Sequence, residues 1–179
     1  MTVPADERDD GLGLIELIVA IVVSGIVLAG IATIFVRSWQ TQEQVISVSE
    51  ATNRGQLVAS GIERAVRNSL FSQVSDSGRV LRVSTSLPGG LKCQGFRLSS
   101  DSGGTARFSA SATALGADTA WAEWETGVLP QGTTPFFSKS IDGVVTYTFQ
   151  IETESAPVRF TGTVASRSVQ EGDNDSCWL

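Results

Sequence analysis

Near its start the chain carries 25 consecutive residues, Leu12 to Val36, in which Glu16 is the only charge. A helix of about 20 apolar residues, rising 1.5 Å each, spans a roughly 30 Å hydrocarbon core. The run is therefore long enough to cross a bilayer. A carboxylate inside such a segment costs on the order of 3 kcal/mol at mid-membrane and less near an interface. Glu16 lies near one end of the run, and its presence there calls for a partner.

The stretch Gly11-Leu12-Gly13-Leu14-Ile15-Glu16-Leu17 resembles the N-terminal motif of type IV prepilins and pseudopilins. In that family a short leader ends in Gly, and a hydrophobic helix follows with Glu at its fifth position. The resemblance makes Gly11 the last leader residue, Leu12 the first mature residue and Glu16 the fifth. It implies cleavage between Gly11 and Leu12 by prepilin peptidase and N-methylation of Leu12. It also implies an assembly role for Glu16, paired with the N-terminus of a neighbouring subunit. Physics favours that pairing, because a buried carboxylate beside a buried ammonium gives each charge the partner that hydrocarbon withholds. The leader departs from the family pattern: Asp9 and Asp10 stand where Lys or Arg is usual, and Arg8 is its only basic side chain. The helix also lacks the interior Pro common in major pilins.

Two other readings fit an apolar N-terminal segment. An uncleaved signal anchor would hold Glu16 near the cytoplasmic interface at little cost. A cleaved secretory signal fits worse, since its apolar core is 7 to 15 residues behind a positive n-region. Here the run is longer and the preceding residues are acidic.

Charge narrows the remainder. The chain has a formal net charge of −6. Its first 11 residues contribute −3 and Glu16 another −1, so residues 37 to 179 hold 12 basic and 14 acidic groups. A nearly neutral domain gives no general electrostatic case for nucleic acid, which calls for a basic face. The positive-inside bias does not orient the helix, because Arg37 follows the apolar run and acids precede it. The prepilin resemblance does orient it, with the N-terminus in the cytoplasm and the C-terminal domain outside.

The two cysteines, Cys93 and Cys177, read as a disulfide in an exported domain. Closing a loop of 84 positions contributes about 4.5 kcal/mol in the chain-entropy model. Two reduced buried thiols are the alternative.

Beyond Val36 the pattern turns amphipathic. Arg37-Ser38-Trp39 marks a membrane exit, with Trp39 suited to the interface. Val45, Val48, Val58, Ile62, Val66 and Leu70 recur mostly at three- or four-residue steps, with charged residues between them, which predicts one apolar helical stripe. Gly55 and Gly61 each weaken a helix by about 1 kcal/mol relative to Ala, which leaves two alternatives, a local break around Asn53-Arg54-Gly55 or a continuous helix. Unbroken, the helix would run from about Leu12 to Asn68, roughly 85 Å at the standard rise.

From Leu70 the period shifts to two. Strands are expected over Val80–Ser86, Leu91–Leu98, Thr105–Ala112, Ala120–Thr126, Phe136–Ile141, Val144–Thr153 and Val158–Arg167, with Asp142-Gly143 as the clearest hairpin turn. Val145, Tyr147, Phe149 and Ile151 should share the face that packs on the helix. The expected fold is α+β: a long N-terminal helix, half membrane and half amphipathic, on an antiparallel sheet, as in pilins. The expected divisions are a leader (1–11), a membrane or filament-core helix (12–36), an amphipathic half (37–69) and an extracytoplasmic β-rich domain (70–179).

Catalysis has little to draw on. The chain has no histidine, hence no imidazole base or ligand, and no glycine-rich loop of nucleotide-binding spacing. Glu123 and Glu125 alternate on an expected strand and could form an acid/base pair, though such acids are more often a solvated face. Asp173, Asn174 and Asp175 offer oxygens to calcium without the spacing of an EF-hand loop. Trp121, Trp124, Phe136 and Phe137 read as core or as an exposed partner patch. No enzyme activity, metal or cofactor is expected. The expected function is a structural subunit, a minor pilin or pseudopilin, of a type IV pilus, competence pilus or type II secretion pseudopilus. Its expected partners are prepilin peptidase, other pilin subunits, the inner-membrane assembly machinery and membrane lipid. It would be a single-pass protein of the cytoplasmic membrane before entering a surface filament. The alternative is a single-pass, membrane-anchored extracellular binding module.

Overall fold

A computed structural model describes residues 13–167 and 177–178 of the chain. They fall into two units, one ending at Glu43 and the other beginning at Gln44. Among the described residues one α-helix, α1 (Leu14–Arg67), is followed by nine strands with four short 3-10 turns between them. Of the two alternatives at Asn53-Arg54-Gly55, the helix takes the continuous one. The two glycines serve packing instead. A Cβ on Gly55 would overlap the ring of Phe160, and one on Gly61 would sit 2.6 Å from Trp124.

The buried face of α1 differs from the expected stripe. It consists of Ala51, Gly55, Val58, Ala59, Ile62, Ala65 and Val66, whereas Val45 and Val48 are 62% and 37% exposed. Small residues at helical spacing let the backbone approach the sheets closely, so volume comes from the strands' aromatics. Leu70 lies past the helix end. Asn68 closes that end by donating its Nδ2 to the carbonyl of Arg64 at 2.7 Å, and Arg64 and Arg67 place positive charge in the last turn, where the helix dipole favours it.

The strands form two antiparallel sheets. The first is a meander of β1 (Ser69–Ser75), β2 (Val80–Thr85), β3 (Cys93–Ser99), β4 (Thr105–Ser111) and β5 (Ala122–Thr126), in that spatial order. The second contains β6 (Val128–Leu129), β7 (Phe137–Lys139), β8 (Val145–Ile151) and β9 (Val158–Val164), all paired to β8. The β7–β8 hairpin forms around Asp142-Gly143 as expected, with Gly143 at φ 79° and the Ser140 amide donating to the Val144 carbonyl at 2.9 Å. Strands β1 and β6 are additions to the expected set. β1 is disguised because the side chains it buries are Ser69 and Ser72. β6 is two residues long, too short to show a period.

Within the second unit, α1 from Ala51 onward packs with Leu81, Val83, Phe96, Leu98, Phe137, Val145, Tyr147, Phe149 and Ile151 in one core. A smaller cluster of Val80, Cys93, Leu115, Trp121 and Cys177 takes residues of opposite alternation on β2 and β3, the other face of the meander. The Cys93–Cys177 disulfide lies in this cluster, its Cα atoms 5.2 Å apart, and Trp178 stacks on Phe71 with ring centroids 5.4 Å apart.

Three polar ties join α1 to the sheets. Arg54 donates from Nε and Nη2 to Glu125 Oε1 at 2.8 and 2.5 Å, and the carboxylate hydrogen bond holds its guanidinium above the ordinary pKa. Nη2 also reaches the Thr126 carbonyl at 2.6 Å. Tyr147 Oη donates to Glu63 Oε1 at 2.7 Å. Burial first, then the bond to Glu63, push the tyrosine pKa well above its usual value.

Replacing Gly55 with Leu should destabilise the fold by about 1–3 kcal/mol through overpacking against Phe160. The gain in helix propensity does not offset it, and a denaturant midpoint measures the balance. Tyr147 is the only tyrosine in the chain, so its titration is directly readable. Its phenolate absorbance should rise only well above pH 10 in the folded protein and near pH 10 after denaturation. Because the folded pKa is raised, the tie is fully present below the unfolded value and is lost as pH rises through the folded one. Alkaline loss of stability should accordingly be smaller in Tyr147→Phe.

Candidate functional site

The functional candidate is the N-terminal part of α1. Helical bonding starts at Gly13, whose carbonyl accepts from the amides of Glu16 and Leu17 at 2.9 and 3.2 Å. Glu16 thus stands in the first turn, where the positive end of the helix dipole favours a carboxylate. Gly11 and Leu12, the expected cleavage pair, lie outside the described residues.

Every described residue from Gly13 to Ile46 is exposed. Leu14, Ile15, Ile26 and Phe35 are 77%, 71%, 68% and 65% accessible. The most apolar 18-residue window has a mean hydropathy of 2.8, with none of its residues buried. A core helix of a soluble domain would bury one stripe; this one is apolar on all sides, the pattern of a helix surrounded by lipid or by other helices. The hydroxyl of Thr33 is satisfied locally, donating to the Ala29 carbonyl at 2.9 Å. At the far end of the apolar run Trp39 donates from Nε1 to Glu43 at 2.7 Å, with the Phe35 ring 6.4 Å away, an amphipathic arrangement suited to an interface.

The other sequence candidates resolve into structure. Glu123 and Glu125 do not form a pair. The pairing of β4 with β5 shifts at Ala106/Arg107, so Arg107 faces Glu123 and Ala106 faces Glu125. Glu125 is taken by Arg54, while Glu123 is exposed. The extra residue, Trp124, turns onto Phe96 and Phe108 at centroid distances of 6.1 and 5.5 Å. Trp121, Phe136 and Phe137 are buried. Trp121 lies over Gly95, where a side chain would meet its ring, and donates from Nε1 to the Gly116 carbonyl at 3.0 Å. Asp173, Asn174 and Asp175 lie outside the described residues. Among the described residues, no group of three or more acids or cysteines is placed to hold a metal.

Two charged clusters escaped the sequence reading. Arg97 donates to Asp118 at 2.5 Å and to Asp76 at 3.1 Å, and Arg79 holds Asp76 at 2.7 Å. The hydrogen bond from Arg79 keeps the Asp76 carboxyl below its usual pKa. Lys139 donates to the Ser72 carbonyl at 2.6 Å and lies 5.2 Å from the Phe71 ring centroid; burial lowers its pKa. Strand alternation gives no signal of such pairings: Arg97 on β3 meets Asp76 and Asp118, each 21 residues away, and Lys139 on β7 meets Ser72 on β1, 67 residues away.

With the helix placed, the comparison with protein families decides its class. Residues 8–32 match the prokaryotic N-terminal methylation motif. The chain carries the type IV prepilin signature. The match covers the apolar helix through Ala32 and includes Glu16. No curated protein and no solved structure matches the chain. The prepilin signature and the fully exposed apolar helix together assign it a pilin-like, membrane-anchoring N-terminus.

Removing the disulfide tests how the C-terminal residues are held. Cys177→Ser should lower stability by about 2–5 kcal/mol, and the fluorescence of Trp178 on Phe71 should become more solvent-exposed.

Proposed function

We propose that the chain is a structural subunit of a type IV pilus, competence pilus or type II secretion pseudopilus. Prepilin peptidase cleaves it between Gly11 and Leu12, and the new N-terminus at Leu12 is methylated. Residues 12–36 then form its membrane and filament-core helix, residues 37–69 the amphipathic half, and residues 70–179 the domain outside the cytoplasmic membrane. The observation that carries this reading is that the apolar segment of α1, Leu14 to Val36, is exposed on all sides and has its one acid in the first turn. An anchor alone needs apolar length. A packed filament core also needs a charge partner for each new N-terminus, and Glu16 supplies one.

A minor rather than a major subunit is favoured by the irregular β region, with its two sheets and unequal strands, and by the absence of a helix-interior Pro. The partners are then prepilin peptidase, other pilin subunits, the inner-membrane assembly machinery and lipid. A membrane-anchored binding module accounts for the same apolar helix but has no use for Gly11 followed by Glu16 at this spacing.

Two substitutions separate these readings. Glu16→Ala should be cleaved normally yet enter sheared filaments at about a tenth of the wild-type level or less, as expected for loss of one buried pairing. Gly11→Ala should accumulate as uncleaved precursor. Normal incorporation of the Glu16 variant rejects the pairing role, and an unchanged N-terminus in Gly11→Ala favours the anchored module.

A further inference from the structure

The C-terminal end of α1 holds more positive charge than the helix needs. A cavity of about 330 Å³ is lined there by Ser60, Glu63, Arg64, Arg67, Asn68 and Arg167. Its one carboxylate is fully engaged: Glu63 accepts from Tyr147 Oη at 2.7 Å and from Arg67 Nη2 at 2.9 Å. The Arg167 amide donates to the Arg67 carbonyl at 3.1 Å, which fixes the third arginine beside the other two. Among the described residues Arg64 and Arg167 make no ion pair. A helix C-terminus carries only about half a negative charge. Among the described residues, three guanidiniums against one carboxylate therefore leave a net cationic site on a chain that is acidic overall.

Arg64 also borders a second hollow, of about 230 Å³. Leu87, Leu91, Phe96, Phe108 and Trp124 line it, together with Gly61, on which the Trp124 ring packs. Leu91 is 39% exposed at its rim. This hollow has room for one large apolar side chain and lies directly beside the Arg64 guanidinium, which makes no ion pair among the described residues.

We propose that the two hollows, joined at Arg64, form a docking site for an acidic segment of a partner polypeptide. Carboxylates lie on Arg64 and Arg167, whose planar forks suit bidentate pairing. An aromatic or aliphatic residue next to them fills the hollow against Trp124. Charge complementarity selects the acid, and the adjoining apolar space selects a polypeptide. A bare phosphate would use the arginines and leave that space empty. The site goes beyond assembly through the N-terminal helix and does not depend on it.

The test uses the full-length chain in detergent micelles, titrated calorimetrically with the capped peptide acetyl-Phe-Asp-Glu-Leu-amide. Saturable binding is expected, with a Kd on the order of 0.1–1 mM. Arg64→Gln should weaken it about tenfold and Arg167→Gln severalfold. Leu91→Glu, which sets a carboxylate at the rim of the apolar hollow, should weaken it about tenfold. Arg79→Gln, in the other charged cluster, should leave it unchanged. The same peptide with Asn and Gln for its acids, and inorganic phosphate, should each bind at least about tenfold more weakly. Unchanged circular dichroism keeps the comparison valid, since Arg64 and Arg167 are exposed. The proposal is overturned by absence of saturable binding, by equal affinity for phosphate or the neutral peptide, or by full binding in Arg64→Gln.

Discussion

A helix that is apolar on every side cannot stay in water, and residues Leu14 to Val36 of this chain form such a helix. Its residues find no cover within the fold. Hydrocarbon or other apolar helices must supply it, and both keep every backbone group bonded within the helix. One acid in the first turn then becomes the exception that needs a counter-charge. The same residues that demand a membrane thus also demand a specific neighbour, which is why a motif of seven residues carries so much of the functional reading.

The second unit solves a different problem with the continuation of the same helix. There α1 buries alanines, valines, one glycine and one isoleucine, while the strands provide the bulk: Phe96, Phe137, Phe149, Phe160 and Trp124. Gly55 and Gly61, which weaken an isolated helix, are required by ring contacts from β9 and β5. Arg54 with Glu125 and Glu63 with Tyr147 add directional bonds to this packing. The meander's second face is closed by a small cluster around the disulfide, which brings Cys177 and Trp178 back onto β1 and β3.

Much of this was legible in the sequence, for reasons that differ by element. The apolar run and Glu16 stood out because length and charge are read residue by residue. β8 was clear because Val145, Tyr147, Phe149 and Ile151 alternate without interruption, and the β7–β8 turn because Gly143 adopts a conformation that glycine favours. The helix stripe was right at Val58, Ile62 and Val66 but wrongly included Val45 and Val48 and left out Ala51, Gly55, Ala59 and Ala65, because valine is a stronger hydrophobic signal than the alanines and glycine that close packing selects. β1 was missed because serines occupy its buried positions. The bulge that separates Glu123 from Glu125 has no local signature, so an apparent carboxylate pair dissolved into an ion pair with Arg54 and an exposed side chain. The arginine cluster was invisible because Arg167 reaches Arg64 and Arg67 only through the fold.

The most direct test of the central claim is the intact mass and N-terminal sequence of the protein taken from its native membranes. The account predicts a chain that begins at Leu12 and carries one added methyl group. A chain beginning at Met1 or Thr2, with an unmodified N-terminus, would contradict it and leave only the anchoring role of the apolar helix standing.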